Sequence, residues 1–137
     1  MRQADVTTEL ARVAALIGAG DVSRDRLISE WAASSDPLTR CVLAHHIADL
    51  SPDPVDELAW DERALVDADT APHPSVAPFY PSLHLNLAAS HLRLGDLPAA
   101  HRHLDHADAT RSALGDDPYS VMIRAAVDRL RARTRAP

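Results

Sequence analysis

Lysine is missing from this 137-residue sequence, and cysteine, asparagine and glutamine occur once each. The single cysteine, Cys41, has no intramolecular partner, which excludes a disulfide-stapled secreted scaffold. The opening MRQADVTTEL lacks the apolar core of a secretion signal, and no apolar run reaches the length of a membrane span. These gaps point to a cytoplasmic protein with no membrane partner. Arginine without lysine, together with abundant alanine, is read as the codon signature of a GC-rich bacterial genome.

The net charge of −6 is unevenly spread. Residues 1–123 carry nine Arg against nineteen acids, whereas residues 124–137 carry five Arg against Asp128. An acidic body repels phosphate backbones, and the terminal RLRARTR has no interleaved aromatic ring, so no nucleic-acid partner is expected. Those arginines suit the negative end of a helix dipole. The stretch DLSPDPVDELAWDERALVDAD, with eight acids and one Arg, reads as a solvated face, or more sharply as a docking surface for a basic partner.

Apolar residues recur at helical spacing almost throughout, and no segment alternates as a strand does. Val6, Leu10, Val13 and Ile17 define a first helix that stops at GAGD. A second, capped by Asp21 or Ser23, runs through Leu27, Ile28 and Trp31. A third follows SSDP with Leu38, Val42, Leu43, Ile47 and Leu50. SPDP opens a fourth, whose stripe of Val55, Leu58, Leu65 and Val66 faces one side and Trp60 the other, which predicts a sandwiched helix. Residues 70–81, TAPHPSVAPFYP, hold four of the ten prolines and predict an irregular, partly extended connection. Helices over about 82–94 and 97–113 follow, and a seventh begins at GDDP with Tyr119, Met122, Ile123, Ala126, Val127 and Leu130. Pro37, Pro54, Pro98 and Pro118 each fall in a first turn, where the missing N–H leaves no bond unmade. The chain length suits one domain, 1–137.

Residues 81–110, PSLHLNLAASHLRLGDLPAAHRHLDHADAT, form two helical segments about a Gly-Asp turn. Small residues at Ala88, Ala100 and Ala107 allow close approach, and Leu87 and Leu104 fill the remaining volume. The unit resembles a tetratricopeptide repeat: Leu87-Ala88 match the Leu-small pair of its helix A, Gly95-Asp96 the turn, and Ala100, Leu104 and Ala107 the small-large-small set of helix B. His84 and His91 stand where that family carries Trp and Tyr, and Ser112 where it carries a closing proline. A fainter unit aligns RCVLAHHIADLSPD with HLNLAASHLRLGD. The resemblance implies an all-α, right-handed helical-repeat solenoid of about seven antiparallel helices, with the last as a cap.

It also implies a non-enzymatic scaffold that needs no cofactor and binds a protein, a peptide or a second copy of itself in a groove lined by helix A. In that register Cys41, His45 and Asp49 correspond to Leu85, Ala89 and Arg93. Asn86 falls where peptide-binding repeats carry an asparagine that bonds ligand backbone, so Asn86 and Arg93 are the leading contact candidates. The opposing reading gives Asn86 a neighbouring carbonyl and Arg93 an acidic partner, Asp49 or Asp96.

Other chemistry remains open at Cys41, His45 and Asp49. Their i, i+4, i+8 spacing aligns thiol, imidazole and carboxylate along one helix, a set that binds a metal or small ligand, or activates a nucleophile. A straight row supplies no oxyanion hole, however. His84 and His91 share a face and read as ring-packing positions. His101, His103 and His106 read as solvated residues that cannot all reach one ion. His73 has no evident partner.

Overall fold

The computed structural model describes residues 3–71 and 74–135. They form two compact units, Met1–His73 and Pro74–Pro137. Both are helical, with no strand among the described residues.

The first unit contains α1 (Gln3–Gly18), α2 (Arg24–Ala33), α3 (Pro37–Asp49) and α4 (Pro54–Thr70). Asp36 and Asp53 cap α3 and α4 by accepting from the Thr39 and Asp56 amides, with Pro37 and Pro54 opening the first turns. Ser23, rather than Asp21, caps α2. Gly20 adopts φ +80° after α1, the left-handed conformation for which GAGD supplies a glycine. Helices α1, α2 and α4 all pack on α3. That arrangement explains why α3 buries Leu38, Cys41, Leu43, Ala44, Ile47 and Ala48 around its circumference.

The sandwiched helix is therefore α3, not α4. On α4 the buried face is Trp60, Asp61, Ala64, Asp67 and Ala68, while Val55 and Val66 from the expected stripe are 66% and 63% exposed. The stripe misleads because the inner face of α4 carries carboxylates, and Asp67 is buried with its oxygens bonded to Trp31 and Arg40. A paired polar group at a core position defeats a count of apolar residues.

The second unit begins with a 3₁₀ helix, Pro74–Phe79, in place of the expected irregular connection, and continues directly into α5 (Tyr80–Arg93). Then come α6 (Leu97–Thr110), a 3₁₀ turn at Arg111–Ala113 and α7 (Pro118–Arg135). The link between α5 and α6 is a Schellman turn: Asp96 N–H donates to His91 O at 2.9 Å, Gly95 N–H donates to Leu92 O at 3.1 Å, and Gly95 takes φ +82°. Asp96 then caps α6 through the Ala99 amide at 3.1 Å, with Pro98 in the first turn. Leu87, Ala88, Ala100, Leu104 and Ala107 are each at most 1% exposed.

Helix α7 closes this unit. Ile123, Val127 and Leu130 join Ala88, Leu104, Ala107 and Leu114 in one cluster, against which Leu85, Ala89 and Leu92 pack. Tyr119 and Met122, which periodicity places on the same stripe, are 47% and 55% exposed. Their places on the inner face fall to Ser120 and Thr134, both buried. Arg131 ties α7 to α6 by pairing with Asp108 and, at 3.0 Å, with Asp105.

Candidate functional site

In the first unit, the row on α3 does not form an accessible triad. Cys41 has no exposed surface, and burial pushes its thiol up to about 12, with Asp67 and Asp69 adding in the same direction. A thiol in that state is protonated at neutral pH and a poor nucleophile or ligand. His45 is only partly exposed, and its imidazole is held below the usual histidine range chiefly by desolvation, against the attraction of Asp49. Asp49 is exposed and lines a cleft of about 250 Å³ with Ile17, Val22, Leu27, His46 and Leu50. Among the described residues, no three His, Cys, Asp or Glu side chains converge on a point that a metal ion could occupy.

A larger cleft in the same unit, about 350 Å³, is lined by Trp31, Arg40, Ala59, Glu62, Arg63, Val66 and Asp67. Trp31 and Trp60 meet edge to face, with centroids 5.0 Å apart and an interplanar angle of 83°. The Arg40 guanidinium stacks 3.9 Å above Trp31 and that of Arg63 4.4 Å from the Trp60 centroid. Arg40 also donates to Trp31 O at 2.8 Å and to Asp67 at 3.2 Å, and Trp31 Nε1–H donates to Asp67 at 3.0 Å. Asp67 therefore orients one aromatic ring and one cation together. Periodicity misses this site because its members come from three helices. The legible signal is a Trp on each of α2 and α4 with Arg40 between them in sequence.

In the second unit, the α5 candidates divide by burial. Leu85, Asn86 and Ala89 are partly exposed, and Arg93 is exposed with a 3.4 Å bond to Ser90 Oγ. Leu85 and Ala89 spend part of their surface on the cluster shared with α7.

The histidines are arranged differently from the expectation. His84 is 8% exposed, as a ring-packing position requires, but its partner is another imidazole. His84 Nδ1 and His103 Nδ1 are 3.0 Å apart. His103 stacks on His84 at 5.3 Å and on His91 at 5.4 Å, while His106 stacks on His84 at 4.8 Å. Tyr80 extends the column, 6.2 Å from His84. His103 thus belongs to the seam between α5 and α6 and not to a solvated face. Spacing along one helix relates His84 to His91 and His103 to His106, but it carries no sign that the two sets meet across the turn. His101 lies outside the column, as its offset requires, and its Nε2 is buried without a hydrogen-bond partner. His73 lies outside the described residues.

Comparison with family models, with curated proteins and with solved structures finds no match to this chain. No helix among the described residues is long and apolar enough to cross a membrane.

Proposed function

We propose that this chain is a non-enzymatic binding module of the tetratricopeptide-repeat type, which captures a protein or peptide segment on the outer face of α5. The observation that supports this reading is the α5–α6 hairpin, with its Schellman turn at Gly95-Asp96 and a seam of buried Ala88, Ala100 and Ala107. Asn86 and Arg93 supply the polar contacts, and the exposed parts of Leu85 and Ala89 supply apolar surface between them. Asp49 contributes on the first unit. Cys41 contributes packing alone, since a residue with no accessible surface touches no partner.

The alternative reading, a metal or small-ligand site at Cys41, His45 and Asp49, draws less support. Its thiol is buried and protonated, and its carboxylate faces solvent.

The test is to pan a random peptide library against the intact protein and measure the enriched peptide by calorimetry. Asn86→Ala and Arg93→Ala are each expected to weaken binding about tenfold, equivalent to about 1.4 kcal/mol, with the melting temperature unchanged. Undiminished affinity in both variants moves the contact surface off α5. Sedimentation over a concentration series tests whether a second copy of the chain is the occupant.

A further inference from the structure

We propose that the α5–α6 hairpin is an acid-sensitive latch, closed by a column of imidazoles that stays shut only while the His84–His103 pair retains a neutral member.

The geometry carries the argument. With 3.0 Å between the two Nδ1 atoms, one ring must present N–H and the other a lone pair. If both rings are imidazolium, two N–H groups face each other at that separation and two positive charges share one seam. Neither is compatible with the closed column. His91 stacks on His103 and His106 on His84, so a charge on either ring adds repulsion within the column, countered at His91 by the Asp96 carboxylate.

The charges around His103 do little to offset this repulsion. Arg102, on the same helix, is positive. Asp96, 3.8 Å from His91 Nδ1, is half exposed at the far end of the column. Among the described residues, Arg131 and Asp128 of α7 and Arg111 of the adjoining 3₁₀ turn pair with one another or with Asp105 and Asp108 of α6. Tyr80 adds a neutral ring. Burial, reinforced by His84, His91, His106 and Arg102, pushes His103 down to about 4.

The sign follows from linkage. An unfolded His103 titrates near 6.5, so between about 6.5 and 4 the open chain binds more protons than the closed one. The stabilisation is complete above about pH 6.5 and is lost progressively as pH falls toward 4. The latch belongs to the hairpin itself and does not depend on whether α5 binds a peptide.

Melting of the full chain should be followed by circular dichroism at about pH 7.5 and about pH 5, with a chelator present to exclude adventitious metal. The wild type is expected to lose about 5 °C or more over that interval, and His103→Leu to lose less than half as much. An equal loss in His103→Leu overturns the proposal. Because packing losses in that variant would also lower its melting temperature, imidazole NMR titration of the wild type provides a second, independent measurement. His103 titrating well below 6.5 supports the latch, and titration at 6.5 or above overturns it.

Discussion

At the scale of single residues, the chemistry-bearing side chains are restrained by burial. Cys41 is the clearest case. With its thiol pushed up to about 12, native protein at about pH 8 is expected to react with a thiol reagent negligibly within an hour, and stoichiometrically in denaturant. Rapid labelling of the folded chain would return Cys41 to the set of reactive groups. Asp67 is the opposite kind of residue, a carboxylate whose value lies in what it holds. Asp67→Ala strands the Trp31 indole N–H and the Arg40 guanidinium together, and a loss of about 3 kcal/mol in a urea titration is expected. Arg63→Ala removes only an exposed cation above a ring and should cost about 0.5 kcal/mol.

At the scale of elements, helix ends are far more legible in the sequence than helix faces. Aspartates and prolines mark the starts of α3, α4 and α6, because capping is decided by residues adjacent in the chain. The Gly-Asp turn between α5 and α6 is equally local, and it predicts the left-handed turn that Gly95 adopts. Gly95→Ala is expected to cost about 1 kcal/mol through its positive φ, although a Cβ there would meet nothing within 4 Å. Faces depend on partners distant in sequence. The Val55 and Val66 side of α4 is apolar yet exposed, whereas Trp60 and two aspartates turn inward. Val66→Ala should therefore change stability by less than about 0.5 kcal/mol, against about 3 kcal/mol for Leu104→Ala in the packed seam of α6. A large loss at Val66 would show that something covers that face in solution.

At the scale of the whole molecule, the chain comprises two compact units, Met1–His73 and Pro74–Pro137. Length bounds how much core a chain can build but not how that core is divided. The all-helical class is legible because helical periodicity is dense. The histidine column is not, because its members sit on two helices that only the turn brings together. The charge imbalance is a whole-molecule property too. With a net charge of −6, and with Arg131 of the arginine-rich end already engaged by Asp105 and Asp108, the protein is expected to pass through a heparin column at about 0.15 M salt. Retention would mean that the remaining C-terminal arginines act as an anion-binding surface.

Trp31 and Trp60, the chain's two tryptophans, both lie in the first unit with their rings in contact. The chain thus has a built-in optical label on one half only. Indole emission therefore originates in Met1–His73 alone. During an acid titration, a shift in that emission would register a disturbance of the Trp31–Trp60 contact in the first unit. A fall in helicity with steady emission would trace the disturbance to the half that contains the histidine column.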